Sequence, residues 1–139
     1  MKKVLVFGTF DIFHPGHDFF LRKAKSYGDE LYVVVARDST VKQVKNRNTI
    51  NNENKRIEIL NVLFYVTEAR LGYEGDKYKI IEEIKPDIIC LGYDQKVFTE
   101  NLKEKLIEIG LNLEIIRIEA YKPDVFKSSK LRVLAGKNE

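Results

Sequence analysis

The run Gly8-Thr-Phe-Asp-Ile-Phe-His-Pro-Gly-His17 gathers both histidines of a 139-residue chain within ten positions. His14 and His17 stand three apart, which on a helix places them on one side, a turn apart. Each imidazole can donate to an anion, either as the cation or in the right neutral tautomer. Pro15 between them suits the first position of a helix, where a missing N–H costs nothing and the fixed φ is already helical. The free amides that follow, together with the positive end of the helix dipole, favour a phosphate. Gly16 removes a side chain where a ligand would approach closely. Two other readings stay open. An i, i+3 histidine pair can ligate a metal, although with one cysteine and no third histidine a carboxylate would have to complete that site. Alternatively, His14 caps the helix and His17 is a packed interior residue.

The elements that must position this motif follow from the alternation of apolar, β-branched runs with amphipathic segments. Residues 3–7 and 30–36 are continuous apolar runs, the pattern of parallel strands buried on both faces. Between them, 15–27 places Phe20, Leu21, Ala24 and Tyr27 at helical spacing before Gly28, completing a βαβ unit. Asn51 and Asn52 precede a second helix over 52–64. Strands over 65–71, 87–91 and 113–118 alternate with helices over 77–84 and 99–109, and 125–134 reads as a final helix. The expected fold is α/β: a Rossmann-like, doubly wound, five-stranded parallel sheet in one domain spanning residues 1–139. Gly8 then ends the first strand, at the edge where such sheets bind ligands.

Composition narrows the partners. No apolar run approaches the roughly 20 residues of a membrane helix, and the single Cys90 sits in an apolar run and fits a reducing, cytoplasmic address. A net charge of +3 argues little by itself, but its distribution is uneven. Residues 37–56 carry a local +4 (Arg37, Lys42, Lys45, Arg47, Lys55 and Arg56 against Asp38 and Glu53), and residues 121–139 a local +3. A charge run of this kind is ordinarily a solvated surface; beside a phosphate-binding motif it can also neutralise phosphate.

Gly8-Thr9-Phe10-Asp11 with His14-Pro-Gly-His17 resembles the cytidylyltransferase-like nucleotidyltransferases, whose His-x-Gly-His motif is shared with class I aminoacyl-tRNA synthetases. The resemblance spans nearly the whole chain. Residues 36–42, 85–95 and 117–122 resemble the archaeal-type FAD synthases of that family, which are short and lack a fused kinase. The resemblance implies a sheet of the HUP and nucleotidyltransferase type, with ATP against Thr9, Phe10, His14, Pro15, Gly16 and His17 and further contacts from Asp94 and Tyr121. It also places a Ser/Thr-rich turn at the start of the last helix, here Phe126-Lys-Ser-Ser-Lys-Leu131, where Ser128 and Ser129 would meet phosphate. The sequence departs from the glycerol-3-phosphate cytidylyltransferases, which read Arg-Thr-Glu-Gly before this turn.

The reaction this implies is attack of an FMN phosphate oxygen on the α-phosphorus of ATP, with pyrophosphate leaving. Such transfers depend on positioning and charge neutralisation more than on a covalent nucleophile. His14 and His17 are the catalytic candidates, Lys45 and Arg47 would hold the outer phosphates with Mg²⁺, and Asp11 is a candidate to orient the metal or a histidine. Phe10, Phe13 and Phe19 could border a base or the isoalloxazine ring. The alternatives are a glycerol-3-phosphate or related cytidylyltransferase using CTP and, from another class, a nucleic-acid-binding or non-catalytic nucleotide-binding module. Neither membrane nor nucleic acid is an expected partner, and a surplus of apolar residues over 52–64 points to a homodimer.

Overall fold

The structure is a computed structural model that describes residues 1–92 and 102–119. Its order is β1 (Lys3–Gly8), α1 (Pro15–Lys25), β2 (Glu30–Val35), α2 (Asp38–Lys45), α3 (Glu53–Asn61), β3 (Glu68–Leu71), α4 (Lys77–Ile84), β4 (Ile88–Leu91), α5 (Leu102–Glu108) and β5 (Glu114–Arg117). The five strands form one parallel sheet in the order β3-β2-β1-β4-β5. The chain thus starts at the centre and winds outward first to one edge, then to the other, as a doubly wound sheet does.

Alternation along the central strand assigns the helices to faces. Val4 and Val6 of β1 pack in a core with Leu21 and Ala24 of α1 and Leu60 of α3, whereas Leu5 packs with Ile80, Ile81 and Ile84 of α4 and Leu102 and Leu106 of α5. Both faces of β1 and β4 are therefore dry, which is why their sequences read as unbroken apolar runs. Val4 pairs with Leu31 on one side and Ile88 on the other, so the ends of β1, β2 and β4 finish together near Gly8.

Differences from the sequence reading are local. No element is expected over 38–45, where α2 stands; its single buried residue is Val41. The helix expected over 52–64 stops at Asn61, leaving Val62 and Phe64 77 % and 84 % exposed. Tyr65 and Val66, expected to begin the third strand, instead pack into the core ahead of it. Asp94, Tyr121, Ser128, Ser129 and the helix expected over 125–134 lie outside the described residues. Among the described residues no helix is long and apolar enough to cross a membrane.

Candidate active site

The site begins where β1 ends. After Gly8 the chain runs over Thr9 to Phe13, and α1 starts at Pro15 in the first helical turn, as its fixed φ favours. His14 is the N-cap: its backbone is extended, and its Nδ1 accepts the Gly16 N–H at 3.0 Å. An acceptor Nδ1 in a neutral ring puts the proton on Nε2, which is thereby a donor. One of the plain alternatives, capping by His14, thus holds together with a donor on the same ring.

The two imidazoles stack, with centroids 3.8 Å apart and planes 26° from parallel. Burial lowers the pKa of His14. It does so more strongly for His17, which is held at about 3 chiefly by burial and further by the His14 and Lys45 charges, against a raising hydrogen bond with the Ile12 backbone. Near neutral pH both rings are uncharged, so they serve as directed dipoles and the positive charge comes from elsewhere. Lys45, the last residue of α2, supplies it: its Nζ donates to Thr9 Oγ1 at 3.4 Å, bringing the ammonium to the motif. Arg47 follows two residues later, half buried, with an Nε that meets no hydrogen-bond partner among the described residues.

Asp11, the candidate to orient the metal or a histidine, is engaged by backbone groups. It is 4 % exposed, and both carboxylate oxygens accept backbone N–H groups: Oδ2 from Ile50 at 2.8 Å and Oδ1 from Asn51 at 2.7 Å. Its carbonyl also accepts from Asn51 Nδ2 at 2.5 Å. Asp11 therefore clips the segment after α2, and with it Lys45 and Arg47, onto the motif. Phe10, a candidate border for a base or flavin ring, is turned into the core at 7 % exposure, while Phe13 and Phe19 pack half buried against that core.

Arg56, counted among the solvent-facing basic residues in the sequence, is fully buried. Its guanidinium donates to Thr9 O at 2.9 Å, Asn51 O at 3.1 Å and Asp38 Oδ1 at 2.7 Å. Asp38 in turn accepts from the Glu53 N–H at 3.1 Å and Thr49 Oγ1 at 3.0 Å, while Glu53 Oε1 accepts the Asp38 N–H at 2.8 Å. The first residues of α2 and α3 thus cap each other, with Arg56 beneath them. Burial raises the Asp38 carboxyl, but hydrogen bonds from Arg56, the Glu53 N–H and Thr49 outweigh that and hold it below the usual range. Sequence reasoning missed this cross-tie. Its signal was spacing: Arg56 lies one residue before Ile57 and four before Leu60, on the helix face that faces the core.

Tyr65 was missed too. Its Oη donates to Asp18 Oδ1 at 2.5 Å, while Arg22 Nε reaches both Asp18 oxygens at 2.9 and 3.1 Å. The acidic residue beside His17 is thereby engaged by a phenol and a guanidinium on the side of α1. Cys90 offers no nucleophile, since burial in β4 pushes its thiol up to about 12. Among the described residues no group of three or more His, Cys, Asp or Glu could hold a metal ion, so the histidine pair lacks the third ligand that reading needs there.

Comparison with known proteins agrees with this geometry. The FAD synthase of Thermoplasma acidophilum is 46 % identical over 132 residues, covering 95 % of this chain and 92 % of that protein. A solved structure described as the lipopolysaccharide core biosynthesis protein of Thermoplasma volcanium is 45 % identical with a TM-score of 0.84, over 88 % of this chain and 99 % of that one. At 17 % identity and a TM-score of 0.62, the pantoate-beta-alanine ligase of Francisella tularensis shares the fold, over 97 % of this chain and 69 % of its own. Residues 5–134 match the family described as cytidylyltransferase-like, and with a helix start, two stacked imidazoles and a lysine meeting at the end of β1, the chain belongs to that family.

Proposed function

We propose that this chain is an FAD synthase, transferring AMP from ATP to FMN with release of pyrophosphate. The observation that carries the acceptor is the 46 % identity to the Thermoplasma acidophilum FAD synthase across 95 % of the chain. A phosphate oxygen of FMN attacks the α-phosphorus of ATP, the bond from that phosphorus to the bridging oxygen breaks, and the electron pair departs with pyrophosphate. Charge builds on the leaving phosphates, so preorganised donors aimed there lower the barrier.

In this reading His14 Nε2–H and the His17 imidazole donate to the α- and β-phosphate oxygens, beside the positive end of the α1 dipole. Lys45 and Arg47 neutralise the outer phosphates. Thr9, Phe10, Pro15 and Gly16 line the nucleotide through backbone and small surfaces, with Asp94 and Tyr121 as further nucleotide contacts and Ser128 and Ser129 on phosphate. The Asp11 oxygens are occupied by two backbone amides, which does not suit a metal ligand. Mg²⁺ fits better as a companion of ATP, held by triphosphate oxygens and water, where it spreads the phosphate charge. Val62 and Phe64, exposed past the end of α3, support a homodimer, and the reduced, buried Cys90 supports a cytoplasmic address.

The test is pyrophosphate release in Mg²⁺ with ATP or CTP, each offered with FMN or glycerol 3-phosphate. Release with ATP and FMN alone is the expected result. Release only with CTP and glycerol 3-phosphate would sink the assignment.

A further inference from the structure

Phe10 has φ of +52°, in the left-handed region that residues with a side chain rarely occupy. Backbone of this kind persists only where the surroundings hold it, so the place of the side chain is informative. The ring turns inward to 7 % exposure, among Val4, Val6 and Leu21, and meets His17 edge to face with centroids 5.1 Å apart and planes at 72°. Gly8 lies under the same ring. A Cβ there would stand 2.5 Å from Phe10 Cε2, 2.7 Å from Cζ and 3.1 Å from Cδ2, and those ring atoms are its three nearest neighbours. A glycine at the strand end, a left-handed turn two residues on, and an imidazole seven residues later therefore share one contact surface.

His17 is walled by three rings: Phe10, His14 stacked at 3.8 Å, and Phe13 tilted at 5.7 Å. The charged or titratable groups acting on it are His14 and Lys45, both of which disfavour the imidazolium, while the Ile12 backbone favours it. Of the three rings, Phe10 alone combines a left-handed backbone with space cleared by a glycine.

We propose that Phe10 is a positioning residue for nucleotidyl transfer: its ring fixes the orientation of the His17 imidazole and keeps it dry, and position 8 is glycine because a side chain there would drive the ring out of place. The ring contributes no hydrogen-bonding group of its own, so it holds His17 without competing with phosphate. This rests on the reading of His17 as a phosphate donor, and it adds that the first residues of the motif act on the last one through a side-chain contact.

The experiment uses the full chain as the parent, Phe10→Leu, Phe10→Ala, Gly8→Ala and the Gly8→Ala/Phe10→Ala double variant, with circular dichroism as the check on folding. Two histidines give two imidazole signal sets in a ¹⁵N-histidine NMR titration, assigned with a His14→Asn variant. Phe10→Leu and Gly8→Ala should each displace the His17 signals and let that ring take up a proton at higher pH than in the parent. In both, kcat should fall about tenfold or more, as expected when a reacting donor is misplaced, with KM for ATP within about twofold. Once Phe10 is alanine, Gly8→Ala should cost nothing further, because the atoms it would strike are gone. Unchanged His17 signals in both single variants would overturn the proposal, as would a Gly8→Ala loss that adds in full to Phe10→Ala. So would a shifted His17 with kcat unchanged. A parent that releases no pyrophosphate with any nucleotide would defeat the FAD synthase reading alone, since the NMR titration reads the ring contact without substrate.

Discussion

Replacing Arg56 with methionine tests whether the buried guanidinium holds the site together. Methionine keeps the length and apolar stem of the side chain and removes its charge and donors. Three acceptors lose a partner: Thr9 O, Asn51 O and Asp38 Oδ1. Removing one member of a buried ion pair costs about 3–5 kcal/mol when the other stays dry. The Asp38 side chain is 40 % exposed, so water can take over part of its solvation. That lowers the ionic share to about 1.5 kcal/mol, the low end for a hydrogen bond to a charged group. The two carbonyls, buried near the strand end, add about 1 kcal/mol each. The sum is a loss of about 3.5 kcal/mol.

Urea unfolding at pH 7 measures this directly, as a lower midpoint at unchanged slope. Arg56→Lys should fall between parent and Arg56→Met, because an ammonium cannot reproduce three donations from one planar fork. The acid limb gives a second reading. Asp38 has a lowered folded pKa, so its stabilisation is present above the unfolded value and is lost as pH falls through the folded one. Arg56→Met should flatten that limb. Because Arg56 also holds Thr9 and Asn51, kcat/KM for ATP should drop in the same variant as Lys45 loses its fixed approach. A loss below about 1 kcal/mol with an unchanged acid limb would refute the cross-tie, since a net contribution that small is ordinary for one surface pair.

Three further outcomes are expected. His14→Asn keeps an N-cap acceptor for the Gly16 N–H but removes the imidazole donor, so turnover should fall roughly 100-fold with little change in the urea midpoint; retained turnover would make His14 a cap and nothing more. Asp11→Asn turns an NH₂ group against one of two amide donors, destabilising the protein by about 2 kcal/mol, while the Mg²⁺ concentration for half-maximal activity stays the same; a weakened Mg²⁺ dependence would restore Asp11 as a metal ligand. His17 stays unprotonated in the fold down to about pH 3 but takes a proton near 6.5 when unfolded, so its contribution is full above 6.5 and lost as pH falls toward 3. The slope should approach about 1.4 kcal/mol per pH unit and be absent from His17→Asn; equal acid slopes in parent and variant would show that His17 is not desolvated.

What the sequence made legible divides along physical lines. The strands 3–8, 30–35 and 88–91 were readable because a strand buried on both faces has no polar alternate positions to confuse the pattern. The histidine motif was readable because its proline and glycine are themselves backbone instructions. Helix α2 escaped because only Val41 of its eight residues is buried while Val44 is 72 % exposed, so one turn of burial left no periodic stripe to find. Arg56 escaped for a different reason. Counting charges over 37–56 treats each basic group as solvated, whereas helical spacing sets Arg56 with Ile57 and Leu60, facing inward. A charge on a buried helical face needs acceptors there, and loop carbonyls and a neighbouring cap supply them. Asp11 and Arg56 therefore belong to one device. Asp11 reaches from the motif to the amides of 50 and 51, and Arg56 reaches back from α3 to the carbonyls of 9 and 51. Between them they fix the segment that follows Lys45 and carries Arg47, so a buried acid and a buried base serve to hold in place the cations proposed to meet phosphate.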